Sequence, residues 1–122
     1  MLDILEFTKW LGKELSLTAY PLIFPVGSAN ECCVVNLTDI LGRKADVKQL
    51  DCTVYCRSKR PDTGIETANK IIKRLDRETS LVFGDTQVLS ILAVNSAGRF
   101  VGQDNNGLYI FTATFNITIC DN

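Results

Sequence analysis

The clearest pattern in the chain is an alternation of apolar and polar positions over residues 47–58. Leu50, Cys52, Val54 and Cys56 interleave with Asp51, Thr53, Tyr55 and Arg57. Successive strand side chains point to opposite faces, so the spacing predicts a strand over Val47–Ser58 with one apolar face. A second alternation closes the chain over Leu108–Cys120. There Tyr109, Phe111, Ala113, Phe115, Ile117 and Ile119 face one way, and Thr112, Thr114, Asn116 and Thr118 the other. Shorter strands are expected over Glu31–Leu37, Gln87–Val94 and Gly98–Gln103. Between the last two strands Asp104–Gly107 reads as a hairpin turn, with Asn106-Gly107 supplying the positive φ.

A helical period appears twice. Leu2–Leu17 reads as a helix capped by Asp3, with Glu6 three residues on. Leu5, Trp10 and Leu11, with Leu15, Ile4 and Phe7, are expected to share its apolar face. After a charged turn at Lys59–Asp62, Thr63 opens a second helix through a capping box, Thr63-Gly64-Ile65-Glu66. Ile65, Ala68, Ile71, Ile72 and Leu75 form its buried stripe, while Glu66, Lys70, Lys73, Arg74 and Arg77 project outward. Tyr20-Pro21 through Ser28 is expected to be irregular, because two prolines flank Leu22, Ile23 and Phe24. Thr38–Asp46, with Gly42, is a polar connection. The order α-β-β-α-β-β-β predicts an α+β fold, with two helices packed on one face of a mostly antiparallel sheet. The other sheet face, dotted with threonine, asparagine and tyrosine, is left for water or for a neighbour. The Leu22–Phe24 loop is either tucked under the domain or offered to a neighbouring subunit, and contact between subunits is the expectation.

A length of 122 residues suits one domain, 1–122. Hydrophobic residues at 46% and charged residues at 22% describe a globular chain rather than a disordered one. No apolar run approaches the roughly 20 residues of a membrane helix, so no membrane is expected among the partners. The acidic start is not a secretory signal. A net charge of −1 argues against a dedicated nucleic-acid binder. With no histidine, triads, metal sites and proton shuttles that need imidazole are excluded. The five cysteines, Cys32, Cys33, Cys52, Cys56 and Cys120, are odd in number and suit a reducing compartment, where the sequons at Asn36 and Asn116 have no meaning. Cys52 and Cys56 stand about 13 Å apart along one strand face, too far for zinc or a disulfide. Cys32 and Cys33 point to opposite faces, no C-x-x-C occurs, and all five read as small hydrophobes. A nucleophilic cysteine needs a base or a cation beside it, and Arg57 lies on the face opposite Cys56. Gly102–Gly107 lacks the Gly-Lys-Ser/Thr ending of a phosphate loop, and a calcium loop starting at Asp104 would place Phe115 where a carboxylate is needed. No catalytic constellation, metal site or cofactor is therefore expected.

Charge is unevenly spread. Arg43–Arg77 holds ten basic and five acidic residues, and the remainder three basic and nine acidic. The basic run is either a solvated helix face or one half of a head-to-tail contact through Lys70, Lys73, Arg74 and Arg77. Nucleic acid comes third, because no aromatics interleave with it.

An N-terminal helix is followed by an apolar, proline-containing loop and a short strand. Then come the strand Leu50–Arg57, the helix Thr63–Leu75 directly after it, and the hairpin Val101–Phe111. In this order the chain resembles the small minor capsid, tail terminator-like proteins of long-tailed bacteriophages. Leu108 stands just after the turn glycine, where a basic residue is common in that group. The resemblance implies a non-enzymatic virion assembly protein that forms a ring, commonly of six subunits, caps the tail tube and joins it to the head. The partners it implies are further copies of the chain, a tail tube protein and a head connector protein, with a passing contact with DNA. The implied place is the head–tail junction of the virion, assembled in the host cytoplasm. The rival readings are a small cytoplasmic cysteine-dependent enzyme and a regulatory binding module.

Overall fold

The computed structural model describes residues 2–39 and 47–121. In chain order these form α1 (Ile4–Leu15), β1 (Ala19–Pro21), β2 (Cys32–Asp39), β3 (Val47–Ser58), α2 (Pro61–Leu75), β4 (Val82–Phe83), β5 (Thr86–Ala93), β6 (Arg99–Gln103) and β7 (Tyr109–Asp121). The fold is α+β, with two helices and one seven-stranded sheet ordered β1-β2-β3-β7-β5-β4. Every pairing is antiparallel except β1 with β2. The long strand β7 takes β3 along one side. Its other side takes β5 against its C-terminal half and β6 against its N-terminal end.

Register explains the core. Cys33, Cys56 and Phe111 stand in one row across β2, β3 and β7, followed by Val35, Val54 and Ala113, then Leu37, Cys52 and Phe115. Paired residues share a face, so the alternation in each strand adds up to one apolar surface. Phe7, Leu11 and Leu15 of α1 and Ala68, Ile71, Ile72 and Leu75 of α2 join these sheet residues in a single buried cluster.

Several local expectations need correction. α1 keeps its Asp3 cap, which accepts from Leu5 N at 2.8 Å, but it ends at Leu15 because Ser16 turns left-handed, with φ 55°. Leu5 is exposed rather than part of the apolar face. It sits about 200° around the helix from Phe7, off the stripe that carries Leu11 and Leu15. α2 begins at Pro61, so the turn expected at Lys59–Asp62 is partly helix and the capping box at Thr63 is not formed. Proline suits the first helical position: its φ is pre-set and its missing N–H has no partner to lose there. Arg60 at the N-cap makes no side-chain cap bond and pairs with Asp62 at 2.9 Å instead.

Tyr20-Pro21 is not irregular but lies in β1, parallel to Cys33–Val35. An edge strand tolerates the proline. β2 runs on through Thr38 and Asp39, which pair with Asp51 and Leu50, so the expected connection starts later. Its remainder, with Gly42, lies outside the described residues. The segment after α2, which carries no strand period in sequence, returns along β5 and closes that strand's edge. Ile91 O accepts from Arg77 N, Ile91 N donates to Glu78 O, Val88 N donates to Leu81 O, and Ala93 N donates to the Asp76 carboxylate. In the turn Asp104–Gly107 between β6 and β7 only Gly107 takes a positive φ, 78°. Asp104 Oδ1 anchors the turn by accepting from Asn106 N and Leu108 N.

Candidate functional site

Two sets of residues stand out in the sequence, and the structure keeps them apart. The first is the loop after β1. Leu22 turns left-handed, φ 72°, and is held there by donating to Val35 O at 2.9 Å. That turn throws the loop outward, leaving Leu22 and Ile23 57% and 71% exposed, with Val26 fully exposed. Phe24 behaves differently. It is half-buried, with the Arg57 guanidinium 4.5 Å from its ring centroid.

Arg57 is the anchor of this loop. It lies on the sheet face opposite Cys56, and its Nη2 donates to Ser28 Oγ and Ala29 O, both at 2.7 Å. Asp104 of the hairpin turn approaches its Nη1 at 4.0 Å. Glu31 accepts from Lys59 N at 3.0 Å and tethers the loop's far end. The stem is therefore fixed by charge-assisted bonds, while the apolar tip is free of the body. A recess of about 370 Å³ lies between the loop and the hairpin, bordered by Phe24, Ser28, Asn30, Arg57, Asn106 and Leu108. Leu108, where the resembling proteins commonly carry a basic residue, is buried.

The second set is the basic side of α2 and its exit, opposite the buried stripe of Ala68, Ile71, Ile72 and Leu75. Arg74 is not free. It pairs with Glu14 and Glu78, each at 3.1 Å, and lies 5.1 Å from the centre of the Trp10 ring. It pins α1 to α2 and to the segment beyond. Lys70 reaches the Leu15 carbonyl at 3.5 Å. Lys73 is exposed on the helix, and Arg77 is exposed just past its end, in a left-handed turn with φ 67°. Lys70 is exposed as well.

All five cysteines are free thiols; four are buried, and Cys120 is half-buried. Burial, with Asp51 nearby, pushes Cys52 up to about 12. Cys32 is also raised, because its burial outweighs Arg57 and the Ser28 hydrogen bond. Cys56 is pushed up by its hydrogen bond with Cys33 and by burial. Such thiols hold their protons, which is the opposite of an activated nucleophile. Sequence reasoning missed that Cys33 and Cys56 meet, Sγ to Sγ at 3.6 Å, because the register of β2 on β3 is not written in either strand alone. Among the described residues no three His, Cys, Asp or Glu side chains gather as a metal site. No helix there is long and apolar enough to cross a membrane.

The geometry thus presents a tethered apolar loop tip and, on α2 and just past its end, the exposed cations Lys70, Lys73 and Arg77, all features suited to contact. No individual curated protein gives a significant match to the chain. The family model for the bacteriophage tail terminator protein, in contrast, matches residues 28–120, from the loop stem that Arg57 holds to the end of β7. With about three quarters of its length matched, the chain belongs to the bacteriophage tail terminator protein family.

Proposed function

We propose that the chain is a non-enzymatic ring subunit that closes the end of a phage tail tube and joins it to the head. Family membership makes it a phage virion assembly protein that acts with tail components at the tail end. The finer reading rests on the loop tip. Leu22, Ile23 and Val26 are exposed together on a stem fixed by Arg57 and Glu31. A soluble domain gains nothing by holding three aliphatic side chains in water, whereas a neighbour that covers them gains their burial. Lys73 and Arg77 serve as the cationic half of a second contact, towards an acidic surface of the next subunit. Head-to-tail contacts of this kind use two different patches and close into a ring. Six copies, a tail tube protein and a head connector protein complete the proposed assembly, at the head–tail junction, with DNA passing through.

The test is negative-stain imaging of the purified protein, alone and with tail tubes, at low and at 1 M salt. Rings alone or caps on tubes are expected, with fewer at high salt, where the Debye length falls to about 3 Å. A monomer at every concentration that leaves tubes uncapped would overturn the reading.

A further inference from the structure

The buried thiol pair plays no part in the contacts proposed above, yet its geometry is specific. Cys33 and Cys56 are register partners on β2 and β3, with their sulfurs 3.6 Å apart. The backbone shows which kind of pair this is. Cys33 N donates to Thr18 O, just before β1, and therefore points away from β3. Cys33 and Cys56 then form a non-hydrogen-bonded antiparallel pair, the close type with Cα atoms about 4.5 Å apart. That separation falls inside the range a disulfide spans, so the bond needs side-chain rotation and no movement of the strands.

We propose that Cys33 and Cys56 are a latent cross-strand disulfide, a modification site at which a peroxide oxidises the folded chain and staples β2 to β3. A small recess of about 50 Å³, bordered by Thr18, Glu31, Cys32, Cys33, Arg57 and Thr67, lets a small oxidant approach Cys33 and its neighbour Cys32. It exceeds the space a water molecule needs. Cys33, which borders it, loses its proton and attacks one peroxide oxygen. The O–O bond breaks, hydroxide leaves and takes up that proton as water, and Cys33 becomes a sulfenic acid. The Cys56 sulfur then displaces the sulfenic oxygen, which leaves as a second water with the Cys56 proton. Two thiols and one peroxide become one disulfide and two waters.

The raised Cys56 thiol makes the reaction slow, which suits a pair that stays reduced in a cell. The use of the bond rests on the virion reading above: a particle assembled in reducing cytoplasm is stiffened once released into oxidising surroundings. The chemistry itself is independent of that reading, because it is measured on the isolated chain.

The experiment treats the full-length protein with hydrogen peroxide, unfolds it, alkylates the remaining thiols and maps tryptic peptides without reduction. Trypsin leaves Cys32 and Cys33 on one peptide and Cys52 and Cys56 on another. A link between these peptides is expected, with a mass loss of about 2 Da from two hydrogens. It should persist in Cys32→Ser and Cys52→Ser and vanish in Cys33→Ser and Cys56→Ser. Should the latter two fail to fold, the C32S/C52S double variant decides alone, since only Cys33 and Cys56 then remain on those peptides. Oxidation should raise Tm by roughly 10 °C, the shift for closing a loop of about two dozen residues, and a reductant should reverse it. No link in C32S/C52S, sulfenic or sulfinic products in its place, or a lowered Tm would each overturn the proposal.

Discussion

Replacing Ile23 and Val26 together by serine separates association from folding. Neither side chain belongs to the buried cluster; Ile23 is 71% exposed and Val26 fully exposed. Surface changes of this kind alter stability by about 0.5 kcal/mol or less each, so the thermal midpoint should barely move. In a ring the same side chains are covered. Full burial of an aliphatic side chain is worth about 1.5–3 kcal/mol, and scaling by the exposure still available gives about 1–2 for Ile23 and somewhat more for Val26. With incomplete cover at an interface, the pair contributes about 2–4 kcal/mol per contact, a roughly 30- to 700-fold change in affinity. Leu22 is left in place because its left-handed backbone would mix strain relief into the result. Phe24 is left because its ring lies against Arg57. Sedimentation over a concentration series measures the ring population, and circular dichroism melting measures the fold. Unchanged association would mean that the tip meets only water. A variant that no longer folds would mean that the loop is core, and either result refutes the reasoning.

Arg57→Met removes both 2.7 Å bonds to the loop and the Phe24 contact, so it should cost about 1–3 kcal/mol and speed amide exchange across residues 24–30, read by mass spectrometry. Gly64→Ala places a Cβ 2.6 Å from Phe111 Cδ1 in the core, and denaturant unfolding should show a loss of about 1–3 kcal/mol. Alkali should destabilise the fold through Cys52, whose thiol burial lifts from 9.0 to about 12. Below pH 9 the thiol is protonated folded or unfolded and stability is intact; between pH 9 and about 12 only the unfolded chain ionises. Stability should then fall by about 1.4 kcal/mol per pH unit from this group, and Cys52→Ala should lessen that slope in urea titrations at stepped pH.

Much of this protein is legible in its sequence because strand and helix periods are local. The alternation in Val47–Ser58 and Tyr109–Ile119 marks the two central strands, and the Ala68–Leu75 stripe marks the buried side of α2. The Leu22–Phe24 loop is visible as an apolar segment confined by prolines. Its exposure is not, because that depends on Arg57 reaching across from β3 to hold the stem, a contact between residues 28 positions apart or more. β1 and β4 are missed for the same reason: three and two residues carry no period, and they are strands only because β2 and β5 supply partners. The outward reading of Arg74 meets Glu14 and Trp10 of α1, whose nearness is set by helix packing rather than by any spacing in α2. Cys33 beside Cys56 is the sharpest case. Each strand declares a buried thiol, but only the pairing register, fixed by the apolar face of the whole sheet, brings the two sulfurs together.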